Sequence, residues 1–146
     1  MDKLGEVETA KALMTEAMSW SVMKWLREKK RVRKAADEAN ALLDELNEAV
    51  KSRWSEELKT AYGELNQAKG ASRPQAINPE IKQLLQRVSA ADDEANRARI
   101  DAERTFDEAE RVLSTSLARD GCRKAIRSWE LYEKAIHQAE TINSHK

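Results

Sequence analysis

Gly70-Ala71-Ser72-Arg73-Pro74-Gln75-Ala76-Ile77-Asn78-Pro79 gathers one glycine and both prolines of this 146-residue chain. Gly70 suits the left-handed residue that ends a helix. Asn78-Pro79-Glu80 reads as a helix start: asparagine at the N-cap, proline at the first helical position, an acid in the first turn. A loop is therefore placed at about 70–78.

Apolar residues on either side of this loop recur in steps of three or four, the period of a helical stripe. Upstream they are Val32, Ala36, Ala39, Leu43, Leu46, Val50, Trp54, Leu58, Ala61, Leu65 and Ala68; downstream they are Ile81, Leu84, Val88, Ala91, Ala95, Ala98, Ala102, Phe106, Ala109, Leu113 and Leu117. Two helices joined by a short loop make an antiparallel hairpin. A pivot at residue 74 sets Trp20 near Trp129, Trp25 near Gly121 and Cys122, and Trp54 near Ala95, large rings against small partners.

The spacing continues toward both termini, with two weak points. Glu28-Lys29-Lys30-Arg31 is a polar gap, and Asp120-Gly121 offers a helix end. The pivot brings these points to one level, so both helices run straight or both break near 29 and 120. Straight helices of about 65 residues would form a rod of roughly 100 Å. A joint break folds the terminal segments back into a four-helix bundle. The stripe is two residues wide at Leu42/Leu43, Ala49/Val50, Leu84/Leu85, Val112/Leu113 and Ala135/Ile136. A two-stranded seam needs less, so a folded-back bundle or a paired, dimeric bundle is expected, with residues 1–146 forming one all-α domain.

Composition agrees. Alanine is the commonest apolar residue, with 22 copies, charged residues make up 36%, and there are four glycines, two prolines and one phenylalanine. These frequent types lose little side-chain entropy in a helix. Net charge is zero, so no global field draws the chain to nucleic acid or membrane. Met1-Asp2-Lys3-Leu4-Gly5-Glu6 does not read as a signal peptide, and Met1 with the polar end Asn143–Lys146 is read as bounding a whole chain. Cys122 has no internal partner, which fits a reducing compartment and a cytoplasmic protein.

Catalytic and metal chemistry find little support in the residues. Glu133 and His137 are four apart and read as a surface pair, and His145 falls in the polar tail. Cys122 stands beside Arg123-Lys124 but reads as a small core thiol, and Ala91-Asp92-Asp93-Glu94 reads as a solvated face. A non-enzymatic protein with no cofactor, no metal and no small-molecule substrate is expected.

Charge segregation and one unusual helix are the informative features. Residues 24–34 carry seven positive charges and one negative; Arg119, Arg123, Lys124 and Arg127 cluster at the same level of the hairpin. The arms Asp37–Glu64 and Asp92–Glu110 each hold eight acids. The N-terminal helix holds Met14, Met18, Trp20, Met23 and Trp25, residue types suited to contact surfaces. The leading expectation is a helical adaptor or structural protein, homodimeric, meeting a protein partner through Met14, Met18, Trp20, Met23, Trp25 and Trp129. The alternative is a binder of nucleic acid or anionic membrane through Lys24, Arg27, Lys30, Arg31, Arg123, Lys124 and Arg127.

Overall fold

The computed structural model describes residues 3–67 and 79–143. Five helices account for these apart from three short connections: α1 (Lys3–Ala17), α2 (Val22–Ser52), α3 (Glu56–Gln67), α4 (Pro79–Val112) and α5 (Thr115–Asn143). The loop expected at 70–78, with Gly70 and the Asn78 cap, lies outside the described residues, as does His145. Helix α4 opens on Pro79, where the missing N–H costs nothing.

The helices do break and fold back, but not where the polar gap and the glycine suggested. Glu28-Lys29-Lys30-Arg31 runs inside α2 and Gly121 inside α5. The first break is at 18–21, where the Ser21 side chain accepts the Lys24 N–H at 3.2 Å and caps α2. Another is at Leu113-Ser114. Leu113 has φ 53°, and the Ser114 N–H returns to the Ala109 carbonyl at 3.0 Å. That six-to-one bond closes a Schellman turn. The Ser114 hydroxyl then accepts the Leu117 N–H at 3.1 Å and starts α5. A third, unforeseen break at 53–55 lets Trp54 turn inward and donate its indole N–H to the Ala139 carbonyl at 3.0 Å. Ser55 caps α3 through the Leu58 N–H at 3.3 Å.

Helices α2 and α4 run antiparallel, as the hairpin requires. Arg33 meets Asp107 at 3.1 Å, Arg99 meets Asp44 at 2.9 Å, and Asn47 meets Asp92 at 3.1 Å, so later residues of one face earlier residues of the other. This pairing centres near position 70 rather than 74. The closest packing is instead between α4 and α5, joined at the Leu113 turn. Both carry buried alanines at heptad spacings, Ala95, Ala102 and Ala109 on one, Ala118, Ala125 and Ala139 on the other. Small side chains let helices approach. Helix α5 lies parallel to α2, with Asn40 at Trp129 and Trp54 at Ala139. Helix α1 runs back along α2 and α5, its Lys11 meeting Glu133 at 2.8 Å. The result is an all-α bundle in which α1, α2, α4 and α5 alternate in direction and α3 continues α2 past a bend.

All four tryptophans are buried, as are Met14, Leu43, Leu85, Val88 and Cys122. The pairings drawn from a pivot at 74 are corrected here. Trp54 bonds to α5 rather than facing Ala95, Trp129 donates to Asn40 at 2.8 Å, and Phe106 covers Gly121. Most of the wide apolar stripe is covered within one chain: Leu43, Val50, Leu85, Ala135 and Ile136 are buried. Leu42 and Leu84 are half-buried, and Ala49, Val112 and Leu113 are exposed. Among the described residues no helix is long and apolar enough to cross a membrane.

Candidate docking surface at one end of the bundle

Helix α2 begins and α4 ends at the same end of the bundle. Arg33 reaches Asp107 and Glu110, so the α4 terminus comes level with the second turn of α2. Exposed large apolar side chains gather there. Val22, Met23 and Leu26 lie on the first turns of α2; Val112 and Leu113 lie at the α4–α5 corner. Met23 and Leu113 are each 70% exposed. Of seven large apolar residues exposed in the described chain, only Leu4 and Ile100 fall elsewhere. Exposed apolar residues scattered singly are ordinary, but a group at one place marks an interaction site.

Cations surround this group. Arg27 and Lys30 are exposed on the same helix and have no ion-pair partner among the described residues. Lys24 lies over the Trp20 ring, 5.2 Å from its centre. Arg31 is 3.0 Å from Glu28 on its own helix. Most acids at this end are engaged, Glu28 by Arg31, Glu108 by Arg111, Glu110 by Arg33 and Asp120 by Arg123, while Glu16 on the last turn of α1 has no ion-pair partner among the described residues and is outnumbered by the unpaired Arg27 and Lys30. The local field is therefore positive although the whole chain is neutral.

Most of the α5 cations are engaged within the chain. On α5, Arg123 pairs with Asp120 at 2.9 Å, and Lys124 turns to α4, 3.3 Å from Asp101 and 3.0 Å from the Thr105 hydroxyl. Arg127 lines an open groove between α4 and α5 with Arg97, Lys124, Glu94 and Asp101, where two acids offset most of the charge of three cations. Arg119 donates to the Trp20 carbonyl at 3.0 Å. Of the aromatic and methionine set, Met14, Trp20, Trp25 and Trp129 are core residues, Met18 is half-buried, and Met23 alone stands exposed.

Several functional-looking residues have structural duties. Burial pushes the Cys122 thiol up to about 12, so it stays protonated and poorly nucleophilic. Glu133 is held by Lys11, while His137 is exposed. Burial pulls the pKa of the Lys11 ammonium down, but the hydrogen bonds it donates to the Glu133 and Glu8 carboxylates outweigh that and hold it above the usual lysine value. Among the described residues no three His, Cys, Asp or Glu side chains converge as a metal site.

Sequence reasoning missed two features. Asp92, read as part of a solvated face, is a hub: it accepts from Asn47 at 3.1 Å and from Lys51 and Tyr62. The exposed corner at Val112-Leu113 was read as continuing stripe. The available signal was Ser114, an N-cap residue type just ahead of a helical run. Comparison of the chain with protein-family models, curated proteins and solved structures finds no significant match. The reading of the surface rests on its own chemistry.

Proposed function

We propose that this chain is a non-enzymatic helical docking protein whose working surface is the end of the bundle at Met23 and Leu113. One observation carries the proposal: five exposed apolar side chains share one end with Arg27 and Lys30, which have no ion-pair partner among the described residues. A rigid bundle suits such a role, because the surface is held without further ordering and less entropy is lost on binding. The contact role read from the methionine and tryptophan pattern moves accordingly. Burial occupies Trp20, Trp25 and Trp129, leaving Met23 as the member of that set free to meet a partner. A cytoplasmic setting accompanies this reading, in keeping with a buried, unpaired thiol at Cys122.

A photo-crosslinking amino acid placed at Met23, and separately at the exposed Lys134 on α5, tests this in cells. The expected result is adduct formation, to lipid or to protein, at position 23 and little at 134. Equal yields at both positions would sink the proposal.

A further inference from the structure

We infer that the end of the bundle bearing Val22, Met23, Leu26, Val112 and Leu113 docks onto an anionic lipid surface. The inference rests on the reading of that end as the working surface and names what occupies it.

Leu113 is the first argument. It holds φ 53° at the residue that closes the α4 Schellman turn, a position where glycine adopts the conformation freely. A leucine there is strained. Within the chain it gains little in return, because its side chain is 70% exposed. A strained, outward leucine is an observation that calls for a use outside the monomer.

The second argument is the mixture of chemistries. Met23, Leu26, Arg27 and Lys30 are spaced i, i+3, i+4 and i+7, so two apolar and two basic side chains share one face over two turns of α2. A bilayer surface presents anionic headgroups directly above hydrocarbon, and it satisfies both kinds of side chain at once. A nucleic acid would meet the cations but leave five aliphatic side chains without a role. Stacking on bases needs free aromatic faces, and Trp20, Trp25 and Trp129 are buried. The apolar side chains also come from two separate segments at the end of the bundle, a geometry that fits a broad surface better than an inserted peptide.

Co-sedimentation with vesicles tests the inference. The probes are vesicles of phosphatidylcholine alone, and of phosphatidylcholine and phosphatidylglycerol in equal parts. The expected result is binding to the mixed vesicles that weakens with added salt, and little binding to phosphatidylcholine. Reversing both Arg27→Glu and Lys30→Glu lowers affinity by about twentyfold or more. Leu113→Gly is the decisive variant: it removes strain and side chain together, so thermal stability holds or rises while vesicle affinity falls about fivefold or more. Lys134→Glu leaves binding unchanged. M23W adds a tryptophan whose emission shifts to the blue on mixed vesicles. Absence of vesicle binding at low ionic strength overturns the lipid assignment, and so does binding indifferent to Leu113→Gly and to the charge reversals. If vesicles fail while position 23 still crosslinks to a protein, a nucleic acid or a second copy, the lipid inference falls and the docking surface stands. If position 23 crosslinks to nothing either, both fall.

Discussion

Gly121 lies against the ring of Phe106 so closely that a Cβ built on it would stand 2.9 Å from the ring's Cδ1 and 3.0 Å from Cε1. Phe106 is itself buried. In an exposed helix interior, Gly→Ala stabilises by about 1 kcal/mol. Here the sign reverses. Gly121→Ala is expected to destabilise by about 1–3 kcal/mol through overpacking, read as a lower urea midpoint. Combining it with Phe106→Leu recovers part of the loss, because the smaller side chain yields the space. A stabilised Gly121→Ala protein would contradict this contact.

Asp92 ties three helices together. Asn47 and Lys51 come from α2 and Tyr62 from α3, and the Tyr62 ring meets Trp54 edge-on at 5.4 Å between centres. Asp92→Ala removes an acceptor shared by an amide, an ammonium and a phenol in a half-buried place. The expected cost is about 1–3 kcal/mol. Tyr62→Phe removes one donor and costs about 1 kcal/mol. Because α3 otherwise packs chiefly on α4, both variants should speed limited proteolysis within α3 more than within α5. Equal rates in the two helices would show that the hub does not hold α3.

The Trp129 indole donates to Asn40 at 2.8 Å between α5 and α2. Replacing Asn40 with leucine leaves a buried N–H without an acceptor, at an expected cost of about 1–3 kcal/mol. Trp129→Phe in the Asn40→Leu background then costs less than in the parent, since no donor remains to be stranded. A double-mutant cycle from chemical denaturation measures the coupling.

Cys122 gives the chain a pH dependence at the alkaline end. Its thiol is pushed from an ordinary value of 9.0 to about 12 in the fold. Below pH 9 both folded and unfolded chains keep the proton, and the thiol has no effect. Between 9 and about 12 the unfolded chain has lost a proton that the folded chain retains. Stability therefore falls through that window, by about 1.4 kcal/mol per pH unit from this group. Cys122→Ala should flatten the alkaline limb by that slope, although other groups titrate there in both proteins. The same burial predicts that a thiol reagent reacts only as fast as the native chain opens. Rapid labelling of the folded protein would refute it.

Helix type and helix faces could be read from residues alone. The stripe residues Val32, Ala36, Ala39, Leu43 and Val50 on one side, and Val88, Ala95, Ala102, Phe106 and Ala109 on the other, are core residues as their three- and four-residue steps require. Pro79 starts α4 where its chemistry places it. Periodicity is local, set by backbone geometry that neighbours in sequence share, so it survives without knowledge of the fold.

What only the tertiary structure decided is where the helices end and what each face meets. Gly121 looked like a helix end, but Phe106 fills the space over it and the helix runs on. Leu113 looked like a core leucine, but a turn held by one bond from Ser114 to Ala109 puts it in the open. Trp20, Trp25 and Trp129 looked like contact anchors until the fold-back of α1 and α5 enclosed them. A stripe records that a face must be covered and not which helix covers it. That choice belongs to packing between distant segments, and with it the choice of which apolar and basic side chains remain at the surface to bind.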